Sequence, residues 1–567
     1  MSDLPPSWEG PLDEVRAPSA ESGRRGSFLV AAGILLSRIA GLLREVAISG
    51  YLGVGATADV FKAALRIPNL LQNLLGEGVL SASFIPVYSR LLERNRRDAQ
   101  RLAGAILGLL IVLVVVLSVI GVLLARPLTM LITPGFTGER LDLATDLLRI
   151  MFPGIGFLVL SAFCTGVLNS HREFFLSYVS PVMWNVVQIA FVVAAGISGA
   201  SDTGIAEALA WGVLAGSIVQ MGVQVPGVRR LTAGMRVSVD RSSPPVRDVL
   251  RRFGPVVMGR GVAQLLSYID LVLASLLAIG AVSALTYGQV LYLLPISLFG
   301  MAVAAAELPE LSRLGGQGRA EIGRRLATGL ERITFYVAPV AALYLFAGDV
   351  VVGALFQRGE FGPADSRLVW FVIGAFALGL LGTTRSRLLQ NGLYALDRPR
   401  LVARIAVVRV ALAAALGALL MFPLDRLAIV GSSVQRVGEL GFGPLPDALR
   451  LAGDGAPRLG VVGLALGAAI SSWVEYRLLR GALAWRIGRL APMTSAGHWC
   501  LIAAAASGVL AAGMRSAAHA HDLPALVTVL VVGVPVGLTY LAITSSMAVP
   551  EATALVGRAR RMLVERR

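Results

Sequence analysis

The first two membrane-length segments of this chain carry charges that a lipid-facing helix could not hold. The first, from Phe28 to Tyr51, reads FLVAAGILLSRIAGLLREVAISGY and contains Arg38, Arg44 and Glu45. The second carries Asp59, Lys62, Arg66, Asn69, Asn73 and Glu77 at steps of three and four residues, which is one stripe down a helix. A charge at bilayer depth costs at least ~2.5–3.5 kcal/mol, so such residues face a bundle interior or a water-filled cavity. The pattern calls for membrane helices around a hydrophilic, net-basic path. That is the arrangement a transporter of something anionic needs.

The rest of the chain fits a polytopic membrane protein. Of 567 residues, 56% are hydrophobic and only 15% charged, against roughly a quarter charged in soluble domains. A span needs about 20 apolar residues. Fourteen segments qualify, at 28–51, 58–86, 103–125, 144–168, 178–198, 205–226, 250–277, 283–308, 327–348, 367–391, 402–423, 459–484, 496–514 and 524–547. The net charge of +16 would suggest nucleic acid in a soluble chain, but its placement argues otherwise. The dense arginine clusters, such as Arg90–Arg101, Arg229–Arg252, Arg398–Arg404 and Arg558–Arg567, all fall on one side of an even-numbered topology. The positive-inside rule then places both termini in the cytoplasm, with the basic face toward anionic headgroups. Residues 1–27 are polar and Pro-rich and are expected to form a disordered cytoplasmic leader. Cys164 and Cys500 lie in or beside apolar spans and are expected to be buried thiols.

A weak self-match divides the chain. PVYSRLL after span two and PELSRLG after span eight place Pro86 and Pro309 223 residues apart; GVLNSHRE and GLYALDRP place Arg172 and Arg398 226 apart. Two matches nearly in step imply parallel six-span lobes, with a site between them. The expected organisation is an N-lobe at 28–226 (spans 1–6), a basic linker at 227–249, a C-lobe at 250–484 (spans 7–12), spans 13 and 14 within 485–550, and a basic cytoplasmic tail at 551–567. A Gly/Pro-rich extracytoplasmic loop at 424–458 is long enough to hold a short helix. The fold expected is therefore all-α, with fourteen transmembrane helices: two six-helix lobes plus two C-terminal helices around a central cavity.

A resemblance becomes specific in SRIAGLLREVAISGYLGVGATADVF, RIPNLL, GEGVLSASFIPVYS, ITPGF at 132–136, RIMFPGIGF at 149–157, VLNSHREFFLSYVSPVMWN at 167–185, LFQRGEF at 355–361 and LYALDRP at 393–399. In this order they resemble the MurJ (MviN) family of lipid II flippases, within the superfamily of multidrug and oligosaccharidyl-lipid exporters, over roughly residues 28–550. The resemblance implies alternating access that carries an undecaprenyl-diphosphate-linked peptidoglycan precursor from the inner to the outer leaflet of the bacterial cytoplasmic membrane. The chain also departs from the family pattern. Gln72 and Asn73 replace paired arginines; Gly288, Gln289 and Val290 replace Ala-Asp-Arg in span eight; Arg260 stands in span seven where an apolar residue is common.

A diphosphate needs cations, and Arg presents a planar fork to phosphate oxygens. Arg38 and Arg44 are the expected diphosphate ligands, with Glu45 holding Arg38 between loads; the alternative is a buried ion-pair network that orients the first two spans. Arg66 stands beside a kink expected at Pro68. Asp59, Arg66, Asn73 and Glu77 are read as cavity lining, against interhelical glue. Arg260 and Asp270, ten residues apart, point in different directions, and Arg260 is expected to take part of the missing span-eight arginine's role, against a snorkelling alternative. Carboxylates on a cationic wall can tune arginines or bind a coupling cation; no cofactor is expected beyond such a cation or the membrane potential. No catalytic motif or metal-ligand spacing stands out, so the chain is not expected to be an enzyme. The expected partners are the lipid-linked precursor, membrane lipids and cell-wall synthesis proteins, not nucleic acid. Competing readings are an exporter of another polyprenyl-linked oligosaccharide or of a cationic drug, and a non-transporting scaffold for cell-wall enzymes. A net-positive lining repels a cationic drug, and a scaffold has no use for a costly charge stripe.

Overall fold

The computed structural model describes residues 20–564 except 267, 301–302, 304–306, 308–318, 432, 440, 452–455 and 522. A helical element overlies every segment that the sequence marks as membrane-length. Among the described residues, eleven helices, counting the broken run Ala56–Arg94 as one, are long and apolar enough to cross a membrane. The remaining expected segments, at 28–51, 250–277 and 459–484, are also overlaid by α-helix, the second of them by two helices, Pro244–Leu266 and Ile269–Ser275. α1 (Ala20–Leu52) starts earlier than expected, so the end of the leader at 1–27 is helical.

Span two is not one rod. It breaks into α2 (Ala56–Ala64), α3 (Arg66–Leu75), α4 (Glu77–Ser83) and α5 (Ile85–Arg94). Pro68 lacks the N–H that would bond the Ala64 carbonyl, and its ring crowds that group, so the helix parts at Leu65. Gly76 makes the next break, with the Gln72 carbonyl so near that an added Cβ would lie 2.4 Å from it. Pro86 acts on the Ala82 carbonyl as Pro68 does on Ala64, and the third break falls at Phe84. The breaks place Arg66 at the start of a fresh helix.

There follow α6 (Arg96–Leu123), α7 (Ala125–Ile132), α8 (Glu139–Ser170), α9 (Phe174–Ile197) and α10 (Asp202–Leu231). α10 packs on both α8 and α9, α6 on α8, and α1 on α9. After α11 (Pro244–Leu266) and α12 (Ile269–Ser275) comes a second set. It comprises α13 (Ala281–Pro295, running into a π turn at Ile296–Gly300), α14 (Arg319–Phe356), α15 (Pro363–Ala395), α16 (Pro399–Leu424) and α18 (Gly460–Ile487). α18 packs on α15 and α16, and α15 on α13 and α14. Small residues let α16 and α18 approach closely; a Cβ on Gly467 would lie 2.6 Å from the Gly417 nitrogen. α19 (Ser495–Ala520) and α20 (Ala525–Ser546) lie against α14, and α21 (Pro550–Val564) ends the described chain.

The long loop holds a one-turn helix, α17 (Asp447–Arg450), and an antiparallel hairpin of β1 (Leu427–Val430) and β2 (Ser433–Arg436) that was not expected. The arginine clusters define one end of the molecule. At the opposite end, the two sets of helices are laced together. The Glu360 N–H donates to the Gly50 carbonyl at 2.9 Å, Arg450 Nη1 to the Gly135 carbonyl at 2.8 Å, and Tyr287 Oη to the Gly53 carbonyl at 3.3 Å. Gly53 and Gly359 both have positive φ (54° and 57°), and a side chain on Gly359 would meet Gly50. These glycines let two backbones touch.

Candidate functional site

Three cations and two carboxylates converge where α1, α2 and α3 meet α12 and α13. Arg44 Nη2 donates to Glu45 Oε1 at 2.7 Å, and Lys62 Nζ donates to Glu45 Oε2. Glu45 and Lys62 are buried, as transmembrane charges must be when they pair. The Arg44 guanidinium lies 4.9 Å from the centre of the Trp184 ring, and the Lys62 ammonium the same distance from that of Tyr287, positions in which a ring face attracts a cation. Arg66, opening α3, donates Nη2 to Gln289 Oε1 at 2.8 Å. Asp270 and Glu45 lie within its electrostatic reach. Three cations against two carboxylates leave the cluster net positive. Arg44 Nε and Trp184 Nε1 are buried and find no hydrogen-bond partner among the described residues. Two donors thus remain for a ligand's oxygens.

Arg38 lies six residues back along α1, about 9 Å by helical rise. Its side chain is exposed and lines a cavity of about 410 Å³ with Ser81, Thr165, Asn169 and Tyr178. This cavity lies in the arginine-rich half of the molecule, since Asn169 and Tyr178 flank the α8–α9 turn.

The expected pairing of Glu45 with Arg38 is not formed: both Glu45 oxygens are taken by Arg44 and Lys62. The reason is reach. α2 brings Lys62 directly against Glu45, while Arg38 lies two turns away. Asp59 likewise does not face an open cavity. It is buried, accepts the Gly280 and Ser283 N–H groups at 2.8 Å each, and pairs with Arg140 Nη2 at 3.2 Å. A carboxylate is favoured at a helix N-terminus, and Asp59 fastens α2 to the start of α13. Asn73 is exposed on α3. The side chains of Glu77 and Arg260 lie outside the described residues; their backbones belong to α4 and α11.

The structure adds residues that sequence reasoning passed over. Lys62 was part of the charge stripe yet not singled out, although it shares Glu45. In the second set of helices, Arg409 Nη1 pairs with Glu475 Oε2 at 3.0 Å, and Gln390 Nε2 donates to Glu475 Oε1 at 3.0 Å. Arg409 is also within electrostatic reach of Asp270, so the charged network crosses from one set of helices to the other. The missed signal was the one used for the first span: an Arg at 409 and a Glu at 475, each set deep inside an apolar segment.

Membrane helices that enclose a net-positive polar cluster, sealed at one end, place the chain among polytopic membrane transporters. Comparison narrows the class. The family profile for lipid II flippase MurJ matches residues 48–438. The probable lipid II flippase MurJ of Rhizobium tropici is 33% identical over 406 residues, covering 70% of this chain and 75% of that protein. The lipid II flippase MurJ of Burkholderia cenocepacia is 33% identical over 382 residues, covering 66% and 73%. Among solved structures, a lipid II flippase MurJ in an inward closed conformation superposes with a TM-score of 0.69 at 20% identity, over 92% of this chain and 98% of that one. An inward-facing multidrug resistance transporter of the MATE family gives 0.58 at 16% identity, over 81% and 98%. The chain belongs to the MurJ family of lipid II flippases.

Proposed function

We propose that this protein flips lipid II from the cytoplasmic to the outer leaflet of the bacterial cytoplasmic membrane by alternating access, making and breaking no covalent bond. The observation that carries the reading is the buried net-positive cluster of Arg44, Lys62 and Arg66, with the cationic cavity at Arg38 beside it. A diphosphate entering from the arginine-rich end meets Arg38 first. It then competes with Glu45 for Arg44, whose unpartnered Nε and the neighbouring Trp184 N–H can take up its oxygens. Charge-assisted contacts of this kind are about twice as strong as neutral ones. In this state the laced opposite end keeps the cluster from that side, as alternating access requires. The arginine-rich end is assigned to the cytoplasm by the positive-inside rule.

The two-lobe plan draws support from the Arg66–Gln289 hydrogen bond. Those positions stand 223 residues apart, the same offset as Pro86 and Pro309. A two-fold axis would bring equivalent residues together only on the axis, and a contact between residues at that offset is what such a plan calls for. The second partner in that match, residues 309–315, lies outside the described residues. Depleting a bacterial host of its own flippase and supplying this gene tests the function. Restored growth with normal cell shape is expected, and failure by a protein that reaches the membrane would overturn the reading.

A further inference from the structure

The turns that follow α8 and α15 are built alike but end in opposite charge. Each places a non-glycine residue at positive φ, Arg172 at 63° and Asp397 at 55°. Each closes with the same backbone bond, Glu173 N–H to the Leu168 carbonyl at 2.9 Å and Arg398 N–H to the Leu393 carbonyl at 3.0 Å. Glu173 therefore corresponds to Arg398, and Arg172 to Asp397, one residue out of step with the sequence match that set Arg172 against Arg398. In the first set, Glu173 neutralises Arg230, in the last turn of α10, at 3.0 Å. In the second set, Arg398 instead shares a cavity of about 550 Å³ with Arg486, near the end of α18. Arg400 and Arg404 line the same cavity, and Asp397 is the single carboxylate there. None of the four arginines has an ion-pair partner among the described residues; Arg486 only returns Nη1 to the Ala482 carbonyl at 2.8 Å. Where the first half supplies its own anion, the second leaves a place for one.

The surroundings say what kind. Trp485, next to Arg486, is 91% exposed, and Tyr394 is 47% exposed; such rings sit at headgroup depth in a bilayer. Arg400 and Arg404 continue along α16 into exposed Val407 and Val408, one stripe at helical spacing. A lipid with its phosphate among the arginines would lay its chains on those valines. Basic pockets between membrane helices on the cytoplasmic side suit anionic headgroups, and Arg matches phosphate with its planar fork.

We propose that the cavity of Arg398, Arg400, Arg404 and Arg486 is a binding site for the phosphate of an anionic membrane phospholipid. The site is separate from the transport cluster. The test uses the full chain in detergent, with lipid binding followed by native mass spectrometry and thermal unfolding. Wild type is expected to bind phosphatidylglycerol about tenfold tighter than phosphatidylcholine, and the double variant Arg400→Gln, Arg404→Gln to lose that preference. Arg398→Glu recreates the pairing of the first half, so it should fold, keep its lipid-free melting temperature and lose its stabilisation by phosphatidylglycerol. Unchanged phosphatidylglycerol binding in these variants would overturn the proposal. So would inorganic pyrophosphate stabilising lipid-free wild type, but not Arg398→Glu, as strongly as phosphatidylglycerol does, since the pocket would then belong to a soluble anion.

Discussion

Glu45 is shared between two cations, and that sharing makes the three residues unequal. Removing Lys62 leaves Glu45 paired with Arg44, a reduced but neutralised pair. Removing Glu45 leaves Lys62 buried beside the partly buried Arg44 with no anion between them. Uncompensated buried charge costs about 3–5 kcal/mol, so Glu45→Ala should lower the amount of folded protein in the membrane, and Lys62→Ala much less. Immunoblots of membranes beside complementation separate the two; equal accumulation would show that the carboxylate does not hold the cluster together. Arg44→Ala should accumulate normally yet abolish complementation. Losing one charge-assisted contact of about 1.5–3 kcal/mol weakens substrate binding at least about tenfold. Arg44→Lys keeps the charge but loses the fork, and should fall between. A fully active Arg44→Ala would favour the purely structural alternative for the pair.

At the level of elements, the closure of the end away from the arginines rests on Asp59 and on the long loop. Asp59→Asn keeps one acceptor for the start of α13 but gives up the charge that faces Arg140, so it should loosen that closure. Its mark would be faster labelling of a cysteine at Val54, which packs on Gly280, with unchanged labelling at an exposed control position. Asp425, just past α16, accepts the Ala278 N–H at 3.3 Å, and burial pushes its carboxyl up to about 7. The folded state therefore holds a proton that the unfolded state releases from near pH 4. Stability from this group is full below about pH 4 and is lost as pH rises toward 7. Asp425→Asn should flatten that slope in thermal unfolding between pH 5 and 8; an unchanged slope would mean another group carries it. Helix placement was legible in the sequence because apolar length and charge at depth act locally. The break at Leu65 was legible in Pro68; the break at Phe84 was not foreseen, although Pro86 accounts for it in the same way. The pairing of Glu45 with Lys62, and of Arg409 with Glu475, could not: which charge meets which depends on how spans far apart in sequence pack. The hairpin was missed because its strands are four residues each, too short for alternation to stand out.

For the whole molecule, transport direction turns on which end faces the cytoplasm, since a cavity open to the arginine-rich end loads precursor only if that is the side of synthesis. The arginine clusters and the seal at the far end bear on different questions, one on insertion and one on access, so orientation has to be measured directly. The structure guides the choice of reporter positions. Gly53 is unsuitable, because its φ of 54° and the Glu360 carbonyl beside it leave no room for a side chain. Thr137, before α8, and Gln435, on the hairpin, are exposed at the sealed end, and Arg236, in the linker, is exposed at the other. Both native cysteines, Cys164 and Cys500, are buried and give a quiet background. With a membrane-impermeant maleimide on intact cells, Thr137→Cys and Gln435→Cys should label at once. Arg236→Cys should label only after the membrane is opened. The reverse pattern would place the cationic cavity at the outer surface, and a flippase carrying precursor outward would then have to load from the far side of this closure.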